Sequence, residues 1–287
     1  MAVDRAAALR EAAASSAKQR TDRMRGSAGN LELPPVIPSI DRHRLHIEPS
    51  PKRVRVEFAG AVIADTLSPL LLLESTYLPV YYFPFTDIRT EFLVESAHRT
   101  VCPYKGDARY WHVQVGGRRA ENALWAYLNP VESAAALGGH GAFYWDKMER
   151  WLEEDEEVIR HPRDPYHRVD VVRSSRRVEV VLGGQVLARS NASLFLFETG
   201  MPVRYYIPKS DLRMDLLRPS ATRTQCPYKG TASYWSAALD GKTWTDVAWS
   251  YEDPLPECPR IKSFISFYAE KLDSLTVAAR RADGPHS

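Results

Sequence analysis

Two tandem copies of a mainly β domain are what the sequence predicts, and three observations predict it. Residues Arg53 to Leu152 match Arg177 to Thr276 at a constant offset of 124 positions, without a gap. Within each copy, short apolar runs alternate with polar residues at period two and are broken by turn residues. The length, 287 residues, is that of about two ordinary domains, each large enough to bury a core.

The elements follow in chain order. Residues 1–52 read as a leader: Met1 to Arg25 is rich in Ala and Arg and favours a helix. Arg5, Arg10, Glu11 and Lys18 interrupt the apolar stretch that a secretory signal needs. Pro34, Pro35, Pro38, Pro49 and Pro51 then predict an extended arm running to the first domain. The first copy spans 53–155. It opens with Val54, Val56 and Phe58 alternating with Arg55 and Glu57, and a hairpin turn is expected at Ala59-Gly60, as at Gly183-Gly184 in the second copy. Further strands are expected at 70–74, 80–83, 92–95, 108–115 and 123–127. Each copy is expected to end in an α-helix, because Tyr144, Met148, Trp151 and Leu152, and likewise Ile265, Tyr268, Leu272 and Leu275, recur at helical spacing. The acidic run Glu153 to Glu157 reads as a solvated, frayed helix end. A linker at 156–176, the second copy at 177–276 and a tail at 277–287 complete the chain.

Composition narrows the function classes. Thirty-eight Lys and Arg against 36 Asp and Glu leave a net charge of +2, so charge gives no case for nucleic acid or a membrane surface as partner. The best apolar run, Leu70-Leu71-Leu72-Leu73, stops at Glu74, well short of the roughly 18 residues of a membrane helix. Three cysteines make no disulfide framework. A cytoplasmic protein is the expectation.

The repeated residues carry more. Tyr81-Tyr82-x-Pro84-x-x-Asp87-x-Arg89 returns as Tyr205-Tyr206-x-Pro208-x-x-Asp211-x-Arg213. Arg99-Thr100-x-Cys102-Pro103-Tyr104-Lys105-Gly106 returns as Arg223-Thr224-x-Cys226-Pro227-Tyr228-Lys229-Gly230, and Glu74, Trp111 and Trp125-x-Tyr127-x-x-Pro130 return as Glu198, Trp235 and Trp249-x-Tyr251-x-x-Pro254. On these motifs the chain resembles a tandem form of the bacterial domain-of-unknown-function family four-two-seven, which also carries a nucleotidyltransferase name. The resemblance covers both copies. It implies a single-sheet β architecture of the Mss4-like, or β-tent, kind, whose members include zinc-binding and ligand-reading domains.

The residues themselves test these chemistries. No Gly-Lys-Ser/Thr phosphate loop and no Gly-Ser turn followed by Asp-x-Asp accompanies the nucleotidyltransferase name. Zinc would need four Cys or His ligands. His98, Cys102 and His112 become Thr222, Cys226 and Ser236 in the second copy, so no duplicated site is expected, and no metal or cofactor is called for. Cys102 should sit at a strand end before Pro103, where Arg99 and Lys105 would favour a thiolate. The structural alternative is a packed cysteine. No histidine recurs at an equivalent place in both copies, which speaks against a duplicated Cys-His pair. A small-molecule site uses more of the repeated residues. Glu74, Asp87, Cys102, Lys105 and Tyr104 are the candidate catalytic set: Lys105 orients an anion, Glu74 or Asp87 acts as base, and Tyr104 or Cys102 assists. Tyr82, Arg89, Arg99, Trp111 and His112 are candidate ligand-binding residues in the first copy. Glu198, Tyr206, Asp211, Arg223, Cys226, Tyr228, Lys229 and Trp235 are their counterparts in the second. The structural alternative is ion pairs of the Glu74–Arg89 and Asp87–Lys105 type tying strands, with the tryptophans in the core. Three functional readings stay open: a protein that binds a small polar or anionic metabolite, either as a binder alone or as an acid–base or thiolate enzyme; a reader of peptides or modified side chains; and a nucleotidyltransferase. His98, Asp107 and His112 single out the first copy for chemistry near neutral pH.

Overall fold

The computed structural model describes residues 43–278 apart from Thr76; the leader helix and residues 279–287 lie outside them. The described chain divides between Tyr166 and His167 into two compact units, except that Gln225–Pro227 group with the first.

In the first unit the strands are β1 (Leu45–Pro49), β2 (Val54–Phe58), β3 (Ala61–Thr66), β4 (Leu70–Glu74), β5 (Val80–Pro84), β6 (Leu93–Cys102), β7 (Gly106–Val115), β8 (Arg118–Tyr127), β9 (His140–Phe143), β10 (Arg150–Glu153) and β11 (Glu156–Glu157). They build a seven-stranded antiparallel sheet in the order β1-β4-β5-β9-β8-β7-β6 and a four-stranded sheet in the order β11-β10-β2-β3. The second unit has β12 (Val169–Arg173), β13 (Val178–Leu182), β14 (Gln185–Ser190), β15 (Leu194–Glu198), β16 (Arg204–Pro208), β17 (Leu217–Cys226), β18 (Gly230–Leu239), β19 (Lys242–Ser250), β20 (Phe264–Phe267) and β21 (Ser274–Val277). It repeats the plan with a seven-stranded sheet, β12-β15-β16-β20-β19-β18-β17, and a three-stranded one, β14-β13-β21.

The expected strands and hairpins are present. Ala59 and Gly60 both hold positive φ (50° and 75°), as do Gly183 and Gly184 (56° and 71°), the backbone of a two-residue turn whose twist matches its strands. Four expectations are corrected. Each unit has two sheets rather than one, because strands such as β2 bury one face only and need a second layer. Val54, Val56 and Phe58 of β2 and Ile63 of β3 pack on Leu71, Tyr81 and Phe83 of the large sheet. No α-helix ends either copy. Residues 140–153 form β9, a 3-10 turn at Trp145–Lys147 and β10. The helical stripe arises because this turn brings apolar residues of both strands to one core at irregular spacing, with Trp151 and Leu152 both buried on β10, and Phe143, Tyr144, Trp145 and Trp151 favour extended backbone. Glu153 is therefore no frayed helix end: it is 8 % exposed and accepts the Tyr81 hydroxyl at 2.9 Å. Finally, β1 lies within the expected arm and pairs with β4, and β12 lies within the expected linker and pairs with β15. Both are integral strands of their sheets.

Alternation gives the large sheet of the first unit two apolar faces. Leu71 and Phe83 face the small sheet. Leu72, Tyr82, Ala108, Tyr110, Tyr127 and Ala142 form a separate cluster on the other face, covered by Ala134 and Leu137 of the 3-10 turn Glu132–Leu137. The β6–β7 turn and the end of β4 come from strands far apart in the sheet order, yet they touch, so the sheet is curled around this second cluster.

Candidate functional site

The contact that closes the curl is the candidate site. Lys105 Nζ donates to Glu74 Oε2, and both side chains are about nine-tenths buried (9 % and 10 % exposed). The other carboxylate oxygen, Oε1, lies 2.6 Å from His43 Nε2. A carboxylate only accepts, so Nε2 carries the proton. Tyr104 stacks on the His43 ring, centroids 3.8 Å apart at 15°. The second unit repeats the group: His167 Nε2 and Lys229 Nζ meet Glu198 Oε1 at 3.0 and 2.6 Å, and Tyr228 stacks on His167 at 4.2 Å. Burial pushes the Glu198 carboxyl up, but the Lys229 charge and the hydrogen bonds from Lys229 and His167 outweigh it and hold the pKa below the ordinary value.

Local sequence explains the placement. Gly106 adopts φ +102°, and a Cβ there would sit 3.2 Å from the Asn129 carbonyl oxygen, so only glycine fits between Lys105 and β7. The Lys105 carbonyl accepts Val131 N–H at 3.2 Å. That bond ties the Cys-Pro-Tyr-Lys-Gly turn to the segment around Pro130, and Gly230 (φ +102°), Lys229 and Leu255 repeat it. At the other end, Arg44 N–H donates to Ser75 Oγ and Ser75 N–H to the Arg44 carbonyl, both at 3.0 Å. They fix His43 just beyond β1, where Leu45 faces Glu74.

Of the residues singled out from sequence, the structure brings together Glu74, Lys105 and Tyr104, with Glu198, Lys229 and Tyr228. The other candidates have different places. Val80, the first residue of β5, faces Leu72, so Glu74 lies past one end of β5 and Asp87 past the other. Asp87 accepts Thr66 Oγ1 at 2.6 Å, and Asp211 accepts Ser210 Oγ at 3.0 Å. The expected Glu74–Arg89 and Asp87–Lys105 pairs are thus replaced by Glu74–Lys105. Arg89 instead pairs with Glu91, as Arg213 does with Asp215. Arg99 lies three residues before Cys102 on β6, hence on the opposite face. Its guanidinium bonds the Ser96 and His98 carbonyls and Glu95, closing a bulge, and Arg223 does the same with Ser220 and Thr222. Cys102 ends β6 as expected, with its side chain against the Tyr82 cluster; Cys226 ends β17. Tyr82 (1 %) and Tyr206 (0 %) are core residues, not ligand walls. Their hydroxyls accept the indole N–H of Trp125 and Trp249 at 3.2 and 3.1 Å. Trp111 and Trp235 pack into the inter-sheet cores. His112 Nδ1 accepts Asn122 N–H at 2.9 Å, and Ser236 Oγ accepts Asp246 N–H at 3.1 Å. Asn122 and Asp246 hold positive φ, so His112 and its serine counterpart serve one β-bulge. Among the described residues no cluster of three or more His, Cys, Asp or Glu side chains has the makings of a metal site. Clefts of about 440 Å³ beside Phe58, Arg118 and Lys147 and about 380 Å³ beside Thr100, Asp107 and Arg109 lie away from Glu74.

His43 and His167 correct the expectation that no histidine recurs. They stand 124 positions apart. The repeat extends ten residues upstream of Arg53, through His43-Arg44 and His167-Arg168, and following the offset into the proline-rich arm would have found them.

The fold and the clasp define a duplicated curled-sheet domain, each copy closed by a buried Glu–Lys–His group. The model of the family described as domain of unknown function DUF427, NTP_transf_9, matches residues 46–154 and 170–278, and the chain belongs to that family as a tandem pair. No curated protein is significantly similar to it. No helix among the described residues is long and apolar enough to cross a membrane.

Proposed function

We propose that each domain binds a small polar or anionic metabolite at the histidine of its clasp, with acid–base chemistry as the reaction class. One observation carries the reading: the same carboxylate-held imidazole, roofed by the same tyrosine, is built twice. Glu74 fixes the His43 tautomer with the proton on Nε2, leaving the Nδ1 lone pair as a base. Lys105 holds Glu74 from the other side. Tyr104, 45 % exposed, forms the wall that a ligand meets first, and its hydroxyl suits a carboxylate or phosphate oxygen. The thiolate route draws less support, since the Arg99 cation is engaged on the other face. The nucleotidyltransferase route has only the family name. A cytoplasmic location, with neither nucleic acid nor membrane as partner, belongs to the same proposal.

The test is a histidine-resolved NMR titration of the full chain. Panels of small carboxylates, phosphates and amines are added while the ring resonances of His43 and His167 are followed. A binder should shift both rings, and His43→Gln with His167→Gln should abolish its binding. Silent rings across all three classes would reject the proposal.

A further inference from the structure

The two domains differ at one aromatic corner in a way that makes the second a picture of the first with its ligand in place. In both, a tryptophan of the curled face meets a tyrosine just past the β9 or β20 strand: Trp125–Tyr144 at 4.5 Å and Trp249–Tyr268 at 4.4 Å, each tilted 44°. In both, a lysine lies on the tyrosine ring, Lys147 at 4.8 Å and Lys271 at 5.1 Å. These lysines are committed, each donating to two carbonyls of the neighbouring bulge. The second domain adds Arg204, whose guanidinium carbon is 5.3 Å from the Trp249 ring and 5.8 Å from the Tyr268 ring. Glu270 lies 4.0 Å from it.

The first domain lacks the arginine, and next to the ring pair it has His98 edge-on to Tyr110 at 4.5 Å where the second has Tyr234 stacked on Tyr268 at 6.4 Å. Arg204 faces Leu196 across the strand pair, and at the same register Val80 faces Leu72. Glu270 corresponds to Asp146 at the repeat offset, and each lies in the 3-10 turn that directly follows the tyrosine, Trp145–Lys147 and Ala269–Lys271. Without the arginine the rings are uncovered. Trp249 is 7 % exposed whereas Trp125 is only half-buried, and Tyr144 is 36 % exposed. A tilted indole–phenol pair beside a carboxylate recognises a flat cation through its π faces and a counter-charge.

We propose that the first domain binds an external guanidinium group on Trp125 and Tyr144, with Asp146 as counter-charge, in the place that Arg204 fills in the second domain. The site uses none of the Glu–Lys–His residues and goes beyond the function proposed above. The guanidinium could belong to a free metabolite or to an arginine side chain in a peptide.

The experiment titrates the full chain with agmatine and with N-acetyl-arginine-N-methylamide, following the Trp125 indole N–H by NMR. The ureido analogue, citrulline amide, is the neutral control. Both guanidinium probes should shift Trp125 and the control should not, with about one equivalent bound per chain. Val80→Arg supplies the missing side chain and should weaken binding at least about tenfold, the upper range of a desolvated cation–π contact. Arg204→Val should open the second site and raise the stoichiometry to about two. A stronger response to the blocked arginine would place the natural ligand in a peptide, and a stronger response to agmatine among free metabolites. Equal binding of the ureido control, or binding by Val80→Arg at wild-type strength together with unchanged stoichiometry in Arg204→Val, would overturn the proposal.

Discussion

The two domains share a clasp and differ in what surrounds it. Glu74–Lys105–His43 and Glu198–Lys229–His167 have nearly the same burial and the same stacked tyrosine. Elsewhere the copies have drifted. Glu153, buried against Tyr81 and Lys52, stands where the second domain has Val277. Phe85, edge-on to Trp111 at 5.8 Å, stands where the second has Lys209 over Trp235 at 5.4 Å, with Glu252 as its partner. Ala142 stands where the second buries Ser266, whose hydroxyl finds no hydrogen-bond partner among the described residues. His98 and His112, which mark out the first copy in sequence, belong to this drifting set: His112 does at its bulge what Ser236 does in the other domain. The residues the copies share meet at the clasp, whereas the first copy's extra titratable residue His112 serves a bulge.

The largest effect expected from breaking the comparison lies at the shared clasp. Lys105→Met strands a buried carboxylate and should cost its domain about 3–5 kcal/mol. Lys229→Met should cost the other domain a similar amount. Domain-resolved hydrogen exchange during denaturant unfolding reads both, and a clear inequality would mean that only one clasp is structural.

The clasp also sets a pH dependence. The Glu198 pKa is lowered in the folded state, so its stabilisation is fully present above the unfolded carboxyl value of about 4.3 and is lost as pH falls through the folded value. Unfolding free energies of wild type and Glu198→Gln should therefore draw together as pH falls below the unfolded carboxyl value and meet only below the folded one. A gap that persisted undiminished at lower pH would show that the pair is held by shape rather than charge.

Smaller effects sharpen the differences. Tyr81→Phe removes a donor to buried Glu153 and should destabilise the first domain by about 1–2 kcal/mol. Tyr205→Phe, with Val277 in place of Glu153, should be close to neutral in the second. Ser266→Ala deletes an unpaired buried hydroxyl and copies Ala142; it should be neutral or stabilise by up to about 1 kcal/mol. Chemical denaturation curves for these variants give the ranking. A marked loss in Ser266→Ala would reveal a bond that the hydroxyl makes in solution.

Much of the fold was legible in the sequence because period-two alternation and the constant offset are local, additive signals. The β2–β3 hairpin and the strands at 70–74 and 108–115 needed nothing else. The terminal helices were misread because a turn between two short strands brings apolar residues of both to one core at irregular spacing, and Trp151-Leu152, both buried on β10, complete a false helical stripe. The second sheet was missed because nothing in β2 says which surface covers it. At the site, Glu74, Tyr104 and Lys105 were legible from their recurrence and chemistry. Their pairing was not, since it depends on how far the sheet curls. His43 was hidden by the prolines that seemed to place it in an arm.

The curl has a kinetic consequence. The clasp joins residues 31 positions apart, and it closes only when the strands lying between β4 and β7 in the sheet are already paired. Loop closure of that kind comes after local hairpins, so the Glu–Lys contact belongs to the late side of the folding barrier. A clasp variant should then leave the refolding rate nearly unchanged and shorten the lifetime of the folded domain. In a chain carrying the same sheet twice, with β4 (LLLLE) and β15 (LFLFE) alike in residue type, a late-closing clasp is also the step that decides whether each sheet seals on its own strands or is left open to its twin's.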